Sequence, residues 1–164
     1  MSYLDKLFNL KNKVVLVTGS CGQLGSEICK AFANSGSIVV GVDLNVDNKR
    51  LDGVNYYELD ATDKAEKQKT YEAIINKYSS IDVLVNNAGV STFEDFERRT
   101  EEAFDWVVDV NLKGVFFDIQ TYVNLFDKHS KQQGSIINIG STYGVVSPDF
   151  RNYTELPRKN SEVY

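Results

Sequence analysis

Short, nearly continuous apolar runs alternate along this chain with stretches in which apolar residues recur every three or four positions. The runs are 13–17 (KVVLV), 37–43 (SIVVGVD), 54–60 (VNYYELD), 81–89 (IDVLVNNAG) and 134–141 (GSIINIGS), and their β-branched content predicts five strands. After the first run Ile28, Ala31 and Phe32 share one helical face, with Gly36 as the stop. Tyr71, Ile74, Ile75 and Tyr78 mark a second helix over about 64–78, and a long helical stretch covers 100–129. Strands without polar alternation are buried on both faces, and helical connections make them parallel with right-handed crossovers. The predicted fold class is α/β: a doubly wound parallel sheet in three layers, strand order 3-2-1-4-5, forming a single domain over residues 1–164.

The chemistry gathers where strands end. The first run leads into T-G-x-x-G-x-x-G, with Gly19, Gly22 and Gly25, and then into a helix. Glycines there permit a tight turn and let backbone amides approach a pyrophosphate, while the helix N-terminus adds positive potential. This context makes the sheet Rossmann-type and predicts a bound dinucleotide. A P-loop is excluded because Gly25 is followed by Ser26 and Glu27 instead of lysine and Ser or Thr. Asp43, about 20 residues past the glycines at the end of the second run, is placed to accept hydrogen bonds from the adenosine ribose. Its charge would repel a 2′-phosphate, so NAD is expected over NADP. Asp60 either accepts from the adenine amino group or caps the following helix. Cys21 is a small loop filler or, at a helix terminus, a thiol of lowered pKa.

Composition narrows the partners. The 164 residues are 42% hydrophobic, and 18 basic against 23 acidic residues leave a net charge of −5 with no basic run, which argues against nucleic acid and anionic membranes. Without a signal-peptide pattern or eighteen consecutive apolar residues, a cytoplasmic protein with reduced Cys21 and Cys29 is expected. His129 is the only histidine and sits near Lys128 and Lys131, so no metal site is expected.

The glycine loop together with Asn86-Asn87-Ala88-Gly89 after the fourth apolar run resembles the short-chain dehydrogenase/reductase family, over nearly the whole chain. The resemblance implies an NAD-dependent oxidoreductase moving a hydride between nicotinamide and a secondary alcohol or carbonyl. It also implies cofactor contacts from Gly19, Cys21, Gly22, Gln23, Leu24, Gly25, Asp43, Asp60, Ala61, Asn87, Ala88 and Gly89. Asn111 lies among Phe104, Val107, Val108, Val115 and Ile119. In the family such an asparagine opens the helix locally and holds water in a proton relay; otherwise it is a satisfied buried amide. Ser141 would hydrogen-bond the substrate oxygen. The apolar helix within 100–129 implies a homo-oligomer. The NNAG motif is typical of the compact branch, whereas the glycine spacing is closer to extended members acting on nucleotide sugars. With the loop YGVVSPDFRNY, the whole resembles compact members of bacterial surface-sugar biosynthesis, including flagellin-glycan and nonulosonic-acid pathways.

The family pattern continues with tyrosine and, four residues on, lysine, whose ammonium lowers the phenol pKa. Tyr153 follows Ser141 at the usual spacing, but Pro157 stands where the lysine belongs; Tyr143 is too close, with Ser147 at its partner position. The sequence SEV before Tyr164 resembles the approach to the catalytic tyrosine. Tyr164 is therefore the expected acid/base, 144–163 an insertion on the substrate side, and lysine is expected at position 168 of a longer natural chain that supplies the missing C-terminal strands. The 164 residues alone are expected to turn over little or nothing. The alternative is a non-catalytic dinucleotide-binding regulator.

Overall fold

A computed structural model describes residues 9–46, 51–92, 94, 96–128, 133–146, 149 and 151. Five parallel strands form one sheet in the order β3-β2-β1-β4-β5: β1 Val14–Thr18, β2 Ile38–Asp43, β3 Val54–Glu58, β4 Val83–Asn86 and β5 Ser135–Asn138. The predicted order and parallel sense are those observed. β3, β4 and β5 are shorter than their apolar runs, because the final residues of those runs leave the ladder and build loops along one sheet edge.

Helix α1 (Gln23–Asn34) packs on one face, where Cys29 joins Val15, Val17, Val39 and Val85, with Ile28, Phe32 and Ala33 against them. Ala31 is exposed, so the buried stripe lies about one residue away from the predicted face. On the other face α2 (Lys64–Tyr78) supplies Tyr71, Ile74 and Ile75 to a core shared with Leu16, Val40, Val42 and Leu84. Its N-terminus is capped by Asp63, whose side chain accepts from Glu66 N at 2.8 Å, and its C-terminus ends at Ser79 in the left-handed region.

The predicted long helix is broken into α3 (Glu101–Val108) and α4 (Val115–Lys128) by a π-helical segment, Asp109–Gly114. Its buried positions are Val107, Val110, Gly114, Asp118, Thr121, Tyr122 and Leu125. Phe104 is exposed, and Val108, Val115 and Ile119 are half-buried, so the predicted apolar face is turned away from the observed one by about one residue. The wider turn causes this offset, since each π turn carries an additional residue. The fifth strand also departs from expectation: Ile136 and Ile137 are exposed, because β5 lies at the sheet edge with no further element against it among the described residues. No described helix is long and apolar enough to cross a membrane.

Cys21 and Cys29 are both buried and form no disulfide. Burial, then the neighbouring Cys21, pushes the Cys29 thiol from 9.0 up to about 12. Its folded value is raised, so its stabilising share is complete below the unfolded thiol pKa and is lost as pH climbs towards the folded one. In urea titrations from pH 8 to pH 11, Cys29→Ala should therefore show a shallower alkaline loss of stability than the wild type. Identical slopes would remove Cys29 as the cause.

Candidate functional site

At the C-terminal edge of the sheet, the loops after β1, β2, β3 and β4 enclose a cleft of about 740 Å³. It lies at the β1/β4 switch point, where neighbouring strands send their chains to opposite faces. All of the residues predicted to contact a cofactor line it: Gly19 to Gly25 except Ser20, then Asp43, Asp60, Ala61, Asn87, Ala88 and Gly89.

The loop after β1 is shaped by close approach. Gly19 has φ +63°, and a Cβ there would come 2.8 Å from Ala88 Cα. A Cβ on Gly25 would overlap the Gly19 carbonyl and stand 2.8 Å from Asn87 Nδ2. Gly22 caps α1 without a side-chain acceptor and no acidic residue lies in the first turn, so the first amides of α1 are left for an anion. The backbone and side chains thus fit a dinucleotide pyrophosphate.

Polar clamps hold this loop to its neighbours. Thr18 Oγ1 accepts from Asn87 N and Ala88 N, both at 3.0 Å. Asn87 Nδ2 donates back to the carbonyls of Thr18 (3.0 Å) and Gly19 (3.1 Å). Asp43 Oδ2 accepts from Cys21 N at 2.8 Å, so the carboxylate predicted to face a ribose also fixes the loop. Asp60 is not the cap of α2. Its Oδ1 accepts from the amide and the hydroxyl of Thr62, each at 2.7 Å, while its own amide donates to Glu66 Oε2.

Asn111 lies in the π segment and brackets one residue of the loop after β4: its Oδ1 accepts from Val90 N and its Nδ2 donates to Val90 O, both at 2.8 Å. Ser141 follows β5, and the pairing of Asn86 with Asn138 brings Gly89 and Ser141 equally far past their strands on the same edge. Its Oγ accepts from Tyr143 N at 3.1 Å, starting a 3-10 turn (Thr142–Gly144) and leaving the hydroxyl proton available. Tyr164, Tyr153, Pro157 and His129 lie outside the described residues. No group of three or more metal-binding side chains occurs among the described residues.

Several lining residues were not anticipated, among them Thr18, Lys67 and Asp118. Lys67 and Asp118 are nearly inaccessible, at 1% and 3% side-chain exposure, with Nζ 2.7 Å from Oδ1. Tyr71 donates to the same Oδ1 at 2.7 Å. Burial pushes the Asp118 carboxyl up, against the pull of the Lys67 ammonium. The signal was in the sequence: Lys67 precedes Tyr71 by one helical turn on the apolar face of α2, and Asp118 interrupts the apolar run Val115 to Ile119.

The parallel doubly wound sheet with a glycine cradle at its switch point defines a Rossmann-like domain. The chain belongs to the short-chain dehydrogenase family, whose model matches residues 13–154. Among curated relatives, the 3-oxoacyl-(acyl-carrier-protein) reductase of Thermotoga maritima is 36% identical over 154 residues, 88% of this chain and 62% of that protein. Sorbitol-6-phosphate 2-dehydrogenase of Klebsiella pneumoniae is 34% identical over 157 residues, covering 87% of this chain and 57% of that enzyme. A short-chain dehydrogenase from Leptospira borgpetersenii, solved with bound NAD+, superposes with a TM-score of 0.84 at 34% identity, over 100% of this chain and 62% of that one. The chain thus spans about three-fifths of the length of these proteins.

Thr18→Val keeps the side-chain shape but removes the acceptor for two amides, whereas Thr18→Ser retains it. Urea unfolding should show Thr18→Val less stable by about 2 kcal/mol and Thr18→Ser within about 1 kcal/mol of wild type.

Proposed function

We propose that this chain binds NAD and forms the cofactor half of an oxidoreductase acting on a secondary alcohol or the matching carbonyl, of polyol or sugar type. The observation that carries the reading is the cradle itself: glycines where a Cβ would strike backbone, an uncapped helix N-terminus and the carboxylate of Asp43 at the end of β2 line one cleft. The NAD+-bound Leptospira relative supports the cofactor, and dehydrogenases of sorbitol 6-phosphate and galactitol among the relatives support the substrate class. Narrowing it to surface-sugar biosynthesis rests on the mixed glycine-loop and NNAG pattern together with the loop YGVVSPDFRNY.

NAD supplies the hydride acceptor at its nicotinamide ring. The amides at the start of α1 hold the pyrophosphate, Asp43 the adenosine ribose, and Asp60 with Ala61 the adenine edge. Ser141 donates its hydroxyl proton to the substrate oxygen and so orients the carbon that loses hydride. Tyr164 takes the alcohol proton as the general base. Asn111 keeps the loop at Val90 in place through both ends of its amide and supports the proton relay from within the π segment. A second copy of the chain covers the outer face of α3 and α4, where Phe104, Leu112, Phe116 and Val123 are exposed.

Calorimetric titration of this chain should show NAD binding at least about tenfold tighter than NADP, with Asp43→Ala reducing that preference. In the protein expressed from the full reading frame, Tyr164→Phe should lower kcat on a polyol by about 100-fold or more with cofactor affinity unchanged. Failure of this chain to bind NAD at millimolar concentration would refute the cofactor reading, and unaltered kcat would refute Tyr164.

A further inference from the structure

The first turn of α2 touches both walls of the cleft. Glu66 Oε2 accepts from Asp60 N at 3.2 Å, which ties the helix to the loop carrying Asp60 and Ala61. Lys67, the next residue, donates from Nζ to Gly114 O at 2.9 Å, at the end of the π segment. Gly114 itself presses on the first wall, since a Cβ there would lie 2.9 Å from Ala61 O. The same π segment carries Asn111, whose amide brackets Val90.

A buried ion pair is an expensive way to fill space, because desolvation offsets most of the attraction and apolar residues of similar volume do as well or better. Here the pair does something that apolar residues do not: it presents an N–H to a main-chain carbonyl inside the protein. Asp118 holds the ammonium in place, and Tyr71 takes up further acceptor capacity of that carboxylate. The carbonyl of Gly114 is thereby held by a side chain from the neighbouring helix.

We propose that Lys67 is a positioning residue whose ammonium, anchored by Asp118, fixes the Gly114 carbonyl and with it the register of the π segment, so that Asn111 and Val90 are set relative to the Asp60–Ala61 wall. The inference gives the site of the proposed function its alignment, yet its test needs no cofactor. The pair joins the end of the cleft assigned to adenine to the loop after β4 at the other end. Disrupting it loosens Val90 while leaving the central strands intact.

The experiment is amide hydrogen exchange on the free chain, comparing wild type, Lys67→Met, and Lys67→Met combined with Asp118→Leu, each with a thermal melt. The double variant removes both charges together, so no unpaired charge is left buried. The expected result is Val90 exchange about tenfold or more faster in both variants, with Leu16 in β1 unchanged and the double variant close to wild type in melting temperature. A folded double variant with wild-type protection at Val90 would show the pair to be core filling and overturn the proposal. Loss of folding in the double variant, or equal loosening of Leu16 and Val90, would overturn it as well, since the pair would then support the whole fold. Because Val90 is read without NAD, failure of the cofactor reading leaves this result interpretable.

Discussion

The hydroxyl of Thr18 and the amide of Asn87 join the ends of β1 and β4 where the two chains part to opposite faces of the sheet. A parallel sheet has no ladder beyond its last paired residues, so Asn87 N and Ala88 N would be left in a half-buried corner without acceptors. Thr18 Oγ1 takes both, and Asn87 Nδ2 returns two hydrogen bonds to the Thr18 and Gly19 carbonyls. With the strand ends held this close, nothing larger than hydrogen fits at Gly19 or Gly25. The glycine loop is the consequence of that proximity as much as an adaptation to phosphate.

A second constraint acts on the long helical stretch. An α-helix through 101–128 would keep regular pairing; the π segment widens it, swings the buried stripe by about one residue and brings Asn111 to Val90. π segments cost regular hydrogen bonding and occur where function repays it. Here the cost is offset by bonds to neighbouring elements, from Asn111 to Val90 on one side and from Lys67 to the Gly114 carbonyl on the other.

The fold was legible because strands buried on both faces leave a simple trace. The runs at 14–18, 38–43 and 83–86 contain almost no polar residue; the crossover rule gave their parallel sense, and the doubly wound dinucleotide-binding pattern their order. The cleft was legible through motifs whose residue types are forced by geometry, such as Gly19 and Gly25. Helix faces were less so: Ala31 and Phe104 were placed inward because a fixed period of 3.6 fails near a widened turn and tolerates an error of one residue elsewhere. The predicted order already put β5 at the edge of this sheet; its exposure was missed because Ile136 and Ile137 read as buried on both faces. Lys67 and Asp118 escaped because lysine in a helix is ordinarily solvated, and only a partner on another helix makes its burial affordable.

The function proposed for this chain depends on the cleft at the β1/β4 switch point being a dinucleotide site. The most direct measurement is an amide chemical-shift titration of the 164-residue chain with NAD. Saturable shifts at Gly22 to Gly25, Asp43, Ala61 and Ala88 to Val90, with the amides at the C-terminal end of α2 unmoved, are the predicted result. No saturable shifts, or shifts centred on the exposed face around Phe116, would contradict it.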